Sequence, residues 1–181
     1  ENILKGNNQS IRIEINKNKT IKIFGKNYLN PIEINRAEYF SVDLLLGGSL
    51  LIEGAPDLPT FSKSIIVPNN KKMVLDVVES IYVEYENINI APSKGNLSRE
   101  INPSEVSYQF NQFYKEDAFF PKEFAILNEP YILRDYRGQT LQFNPIQYNP
   151  ITKTLRVYSS IVINIIEDGV DTLNVLALDN F

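Results

Sequence analysis

The stretch Tyr131-Ile132-Leu133-Arg134-Asp135-Tyr136-Arg137-Gly138-Gln139-Thr140-Leu141-Gln142-Phe143, followed by Asn149-Pro150-Ile151-Thr152 and Leu155-Arg156-Val157-Tyr158, decides how this chain folds. Tyr131-Ile132-Leu133 and Leu141-Gln142-Phe143 flank a turn read at Asp135-Tyr136-Arg137-Gly138, which predicts a hairpin. Asn149-Pro150-Ile151-Thr152 reads as the turn of a second hairpin, and the alternation that opens at Leu155 predicts a long strand running to Ile165. The core is expected here.

Further out, period two still dominates. Ile11, Ile13 and Ile15 alternate with Arg12 and Glu14, as in a strand with one buried face. Asn16-Lys17-Asn18-Lys19 then supplies turn chemistry, and Ile21-Lys22-Ile23-Phe24 is expected to return as the second strand of a hairpin. From Met73 to Ile90 the chain is rich in Val, Ile and Tyr, with Leu75 and Val77 in the phase that Ile81, Val83 and Tyr85 keep. Glu79 breaks that phase, which predicts a bulge or a bend between two shorter strands. A short turn of helix is expected only near 105–113. Ten Pro and eight Gly are spread between short strands, and the expectation is an all-β fold: an antiparallel, jelly-roll-like β-sandwich with long loops and at most a short helix.

A length of 181 residues with 43% hydrophobic content supports one core, so a single domain is expected over 1–181. The sequence holds 0 His and 0 Cys, which removes thiol and Ser-His nucleophiles, the usual zinc sites and the commonest general base. No catalytic residue, metal ligand or cofactor is assigned. Net charge is -4 with pI about 5.0, and the basic residues are scattered among acidic ones, so nucleic acid is not an expected partner. The most apolar segment, 44–52, is interrupted by Gly47-Gly48-Ser49 and is shorter than the ~20 residues of a membrane span. No membrane partner is expected. Residues 1–8 lack the basic-then-apolar pattern of a signal peptide, so such a peptide is expected to have been removed or never present.

One segment has neither period: Ala91-Pro92-Ser93-Lys94-Gly95-Asn96-Leu97-Ser98-Arg99-Glu100-Ile101-Asn102-Pro103-Ser104. Bracketed by Pro92 and Pro103, it reads as an irregular loop longer than the ~4 to 6 residues usual in compact domains. Its centre, Leu97-Ser98-Arg99-Glu100, offers one long cation on accessible backbone, suited to a deep acidic pocket of a partner. The plainer alternative is a solvated loop arginine, the common fate of arginine at surfaces.

Several blocks carry a family resemblance. They are Gly54-Ala55-Pro56-Asp57-Leu58-Pro59, Ile90-Ala91-Pro92-Ser93-Lys94-Gly95 with Ser98-Arg99, Asn102-Pro103, and Tyr114-Lys115-Glu116-Asp117-Ala118-Phe119-Phe120-Pro121. Ile132-Leu133-Arg134-Asp135-Tyr136-Arg137-Gly138-Gln139 and the run 147–158 extend the set. In this order they resemble the propeptide domain of gingipain-type cysteine peptidases, peptidase family C25. The match is colinear from about Gly54 to Ile165, so 54–166 is the propeptide core and 1–53 the less similar N-terminal strands. Nothing in the chain resembles a peptidase catalytic domain.

The resemblance implies a non-catalytic, inhibitory and folding-assisting propeptide that blocks the cleft of its own arginine-specific peptidase. It implies that Arg99, with Leu97, Ser98 and Glu100, fills the primary specificity pocket, and that Arg99-Glu100 is the processing bond. Lys94 is a weaker alternative anchor, read as shaping the loop. Export to the periplasm, the outer surface or the medium of a bacterium is implied in the same way.

Other groups receive plainer readings. Glu84 and Glu86 share a strand face and could mimic a paired-carboxylate hydrolase, but a solvated face is the expectation. Arg134, Asp135 and Arg137 are read as a local ion pair holding a turn. Tyr114, Phe119, Phe120 and Phe124 are read as a core plug under the long loop. The alternative function is a carbohydrate-binding or adhesin-like β-sandwich using exposed Tyr and Asn.

Overall fold

Between Thr154 and Val170 the odd-numbered Leu155, Val157, Ile161, Ile163 and Ile165 are buried, while Arg156, Val162 and Asn164 between them are half-buried. Such alternation fits a strand, and a register shift at Ser159 sends Leu155 and Val157 into one core cluster and Ile161 and Ile163 into another. The computed structural model describes residues 9–14, 29–42 and 47–177, and for 9–14 the backbone alone. In chain order its strands are β1 (Gln9–Glu14), β2 (Leu29–Ile34), β3 (Ala37–Val42), β4 (Gly48–Ser49), β5 (Pro59–Ile66) and β6 (Lys71–Tyr85). There follow β7 (Ala125–Leu127), β8 (Tyr131–Leu133), β9 (Tyr136–Phe143), β10 (Ile146–Asn149) and β11 (Thr154–Val170). The all-β, antiparallel expectation holds.

β11 is the axis of the first sheet. β6 runs along one of its edges, while β10 and β1 share the other. The second sheet has the order β4-β5-β9-β7, with β8 also on β9, and β2-β3 form a separate ribbon. Phe143, Tyr158, Ile161 and Ile163, with Phe61, Leu75, Phe124 and Ala125 against them, fill the space between the two sheets. A second cluster of Ala55, Leu58, Ile90, Phe120, Ile146, Tyr148, Leu155 and Val157 lies under the 91–104 loop. It includes Phe120, with Tyr114 packed against it, so the plug reading holds for both.

Some expectations need correction. The first hairpin turns at Arg134-Asp135, not at 135–138, because Leu133 pairs with Tyr136 and Arg134 takes the positive φ of 54°. Gly138 is a strand residue opposite Tyr131; a Cβ there would lie 2.9 Å from that ring, so the glycine lets the tyrosine lie close over the strand. β6 is one continuous strand that ends at Tyr85 and does not reach Ile90. The expected bulge is real: Val162 pairs with Glu79 and Ile163 with Val77, leaving Val78 as the extra residue. The helix near 105–113 resolves into two 3-10 turns, Pro103–Glu105 and Gln112–Lys115, joined by a segment without regular structure that is extended at Val106 and Asn111. β1 pairs with β11; the proposed return strand at 21–24 lies outside the described residues.

Candidate functional site

The loop of interest stands on a base laced by backbone hydrogen bonds. Gly54 N donates to Ser93 O (2.9 Å), Ser93 N to Ala55 O (2.7 Å) and Asp57 N to Ala91 O (2.9 Å). Pro56 and Pro92, both fully buried, face each other across this short ladder. A third segment joins from the far side: Asn111 N donates to Gly54 O (3.0 Å) and Asn111 Nδ2 to Glu53 O (2.9 Å). Gly54 has φ +75°, and a Cβ on it would stand 3.0 Å from the Asn111 backbone nitrogen. Only glycine meets both demands.

Tyr114 completes the base by donating its hydroxyl to Ile90 O (2.7 Å). Burial pushes this phenol far above its ordinary value, so it stays a neutral donor. Burial likewise raises Tyr148, beneath the same loop, to about 12. Both rings therefore contribute packing and no charge.

Above this base the chain becomes open. Leu97 is half-buried, while Ser98, Arg99 and Glu100 are exposed. Ile101 N donates to Ser98 O (3.0 Å), which closes a four-residue turn with Arg99 and Glu100 at its tip. Beyond the tip, Asn102 caps the 3-10 turn, its Oδ1 accepting from Ser104 N (3.1 Å) and Ser104 Oγ (2.9 Å). Arg99 makes no salt bridge among the described residues. Its donors remain available to an outside acceptor.

Lys94 is placed differently. Its Nζ donates to Pro103 O at 2.6 Å and stands 4.2 Å over the Tyr108 ring. The loop-shaping reading of Lys94 agrees with this placement.

Glu84 and Glu86 form no acidic pair. Glu84 accepts from Arg156 Nε (2.9 Å) and Nη2 (2.7 Å), and Glu86 lies past the end of β6. The Arg156 guanidinium is stacked against Tyr82 (4.5 Å) and Phe119 (3.9 Å). Phe119 is thus half-buried against Arg156 and is not part of the cluster under the loop. No group of His, Cys, Asp and Glu suited to a metal occurs among the described residues.

The residue that sequence reasoning misplaced most is Arg137. It is 1% exposed and forms no turn ion pair with its hairpin neighbours. Its Nε donates to Asn174 O (3.0 Å), Nη1 to Pro68 O (3.0 Å) and Lys71 O (2.8 Å), and Nη2 to Leu173 O (3.0 Å) and to Asp171. A signal was present: Arg137, Gln139, Leu141 and Phe143 share one phase of β9, and all four are buried. The period-two rule places this arginine inside.

Comparison with known proteins adds an independent line. A family model described as Propeptide_C25 matches residues 4–177. Gingipain R2 of Porphyromonas gingivalis is 45% identical over 132 residues, covering 73% of this chain and 18% of the relative. Gingipain R1 of the same organism is 42% identical over 130 residues, covering 72% of this chain and 13% of the relative. A Lys-gingipain of that organism is 27% identical over 124 residues, covering 65% of this chain and 7% of the relative. The chain thus spans less than a fifth of the length of the gingipains it matches.

Among solved structures, the complex of P. gingivalis RgpB pro- and mature domains aligns with a TM-score of 0.85 at 33% identity, covering 98% of this chain and 89% of that one. A structure concerned with zymogenic latency of gingipain K of P. gingivalis aligns with a TM-score of 0.64 at 19% identity, covering 89% of this chain and 100% of that one. At that identity the second likeness speaks for the fold alone.

Proposed function

Because this chain belongs to the Propeptide_C25 family, the non-catalytic propeptides of gingipain-type cysteine peptidases, we propose that it holds its own peptidase latent by seating Arg99 in the specificity pocket. One observation carries the reading: Arg99 stands at the tip of an exposed turn with no salt bridge among the described residues, above a base laced by backbone hydrogen bonds. The partner is the catalytic domain of the same zymogen, an assignment supported by the RgpB relative, solved as a complex of pro- and mature domains. Arginine specificity is supported by the greater identity to gingipains R1 and R2 than to Lys-gingipain.

A guanidinium presents a planar fork of donors that a pocket carboxylate takes bidentately, a contact of about 1.5–3 kcal/mol. Lysine offers a point charge and fits such a site less well. That energy alone gives weak binding, so the sandwich adds an interface of roughly 1,200–2,000 Å² in total. Inside the cleft the turn opens, losing the Ile101–Ser98 hydrogen bond at a net cost of about 1 kcal/mol. Hydrolysis then falls at Arg99-Glu100. The domain also assists folding of its peptidase and is exported with it, to the periplasm, the outer surface or the medium.

The test is inhibition of an arginine-specific gingipain-like peptidase by the 181-residue chain. Wild type inhibits, and Arg99→Ala weakens inhibition at least tenfold, equal to about 1.4 kcal/mol. Equal inhibition by both would remove Arg99 from the pocket. No observation favours the carbohydrate-binding alternative.

A further inference from the structure

The bond between Arg99 and Glu100 lies inside a loop whose two limbs are tied together below it. Lys94 precedes the bond and Pro103 follows it, and the 2.6 Å hydrogen bond between them joins positions nine apart in sequence. The ammonium is also held over Tyr108, again on the far side of the bond. Lys94 is therefore bonded twice across the place where the chain would be cut.

The sheets are divided by the same point. A break after Arg99 leaves β1–β6 on one fragment and β7–β11 on the other. Yet β6 and β1 pair with β11, and β5 pairs with β9, so both main sheets are built from both fragments. The cores are shared too: Ala55, Leu58 and Ile90 pack with Phe120, Tyr148 and Leu155. Separating the pieces means unfolding the domain.

The remaining arginines are shielded from an arginine-specific peptidase. Arg12 and Arg156 lie within strands, Arg137 is buried, and Arg36 and Arg134 sit in tight hairpin turns at φ 65° and 54°. A cleft that needs extended backbone accepts none of these without breaking strand pairs, Ile34–Ala37 beside Arg36 and Leu133–Tyr136 beside Arg134 included, whereas the Arg99 turn opens at the loss of the one Ile101–Ser98 hydrogen bond.

We propose that Lys94 is a positioning residue that clamps the loop across the Arg99-Glu100 bond, so that hydrolysis nicks the domain without opening the loop or freeing the fragments. The idea rests on the Arg99 reading above and deepens it. Hydrolysis adds one water across the peptide bond, leaving a carboxylate on Arg99 and an ammonium on Glu100. The Lys94–Pro103 and Lys94–Tyr108 contacts involve neither new terminus and survive the cut. Latency then outlasts the first cleavage, and activation needs a later event that unfolds the domain or breaks it elsewhere.

Two measurements test this, and the first needs no peptidase partner. In the isolated chain, Lys94→Met should speed amide exchange over 96–102, including the Ile101 amide, about tenfold, since loop order is what the clamp supplies. Lys94→Arg should restore slow exchange. Tyr108→Leu, which removes the ring and keeps the Pro103 contact, should give a smaller acceleration. Unchanged exchange in Lys94→Met overturns the clamp.

For the second, the chain is nicked with an arginine-specific endopeptidase and examined by native mass spectrometry and by inhibition of the gingipain-like peptidase. Nicked wild type should remain one particle and inhibit within about threefold of the intact chain, whereas nicked Lys94→Met should lose about tenfold relative to uncut Lys94→Met. Fragments that separate, or equal loss on nicking in both proteins, overturn the proposal. If intact wild type does not inhibit at all, the Arg99 reading falls, while exchange and particle mass still decide the clamp.

Discussion

Two arginines in this domain have opposite surroundings. Arg137 is sealed inside, its guanidinium engaged by four backbone carbonyls and by Asp171. Arg99 stands exposed on a turn with no salt bridge among the described residues. The side chain is the same, so the difference lies in whether its donors are already used. Arg137 stitches the 68–71 connection and the 171–174 segment onto β9. Arg99 keeps its donors for an acceptor that another molecule brings.

The largest effect is expected from breaking the inner arginine. Arg137→Met keeps most of the stem but removes the guanidinium donors from four carbonyls and a carboxylate, and removing one partner of a buried charged network costs about 3–5 kcal/mol. Urea denaturation followed by tyrosine fluorescence should show the midpoint falling by that measure with little change in slope. A loss below about 1 kcal/mol would mean that water satisfies those carbonyls as well as Arg137 does.

The outer arginine should give the complementary result. Arg99→Ala should cost inhibition about 1.5–3 kcal/mol, the value of a charged hydrogen-bonded contact, while changing fold stability by less than about 0.5 kcal/mol. Measuring both variants by both assays turns the contrast into a crossed pair. A destabilised Arg99→Ala would show that the turn contributes to the fold, and the division of roles would fail.

Gly54→Ala probes the connection between base and tip. It leaves Arg99 chemically intact but puts a Cβ against Asn111 at a φ of +75°, which should destabilise the chain by roughly 1 kcal/mol. Inhibition should weaken beyond what the change in folded fraction explains, because the ladder under the loop is what aims the turn.

What the sequence disclosed follows the range of the interactions. The β10–β11 hairpin was legible because its turn is local: Asn149 Oδ1 accepts from Ile151 N (3.0 Å) and Thr152 N (3.3 Å), an arrangement asparagine favours anywhere. The preceding hairpin was read out of register because Gly138 resembles a turn residue, when its role is set by Tyr131 across the strand. The pairing of β6 with β11 joins Tyr85 to Leu155, a separation at which period two says only that both are strands. The exposed loop around Arg99 was visible as a break in that period, whereas the Lys94 clamp depends on a carbonyl and a ring that the sequence places in no geometry.

The smallest effect concerns the acid beside the inner arginine. The Leu173 backbone N–H and then the Arg137 guanidinium hold the Asp171 carboxyl below its ordinary value of 3.8. A carboxyl that is more acidic in the folded state binds its proton more readily when unfolded, so its contribution is fully present above the unfolded value and is lost as pH falls through the lower, folded one. The carboxylate is partly exposed, so solvent screens the pair and the contribution is small. Wild type should therefore exceed Asp171→Asn by a constant margin in urea midpoint well above pH 3.8, and the margin should shrink below it. A margin that persists undiminished into acid would mean that the hydrogen bonds at this position matter and the charge does not. Arg137 would then be held by its carbonyls alone, and the contrast with Arg99 would turn on hydrogen bonding and not on charge pairing.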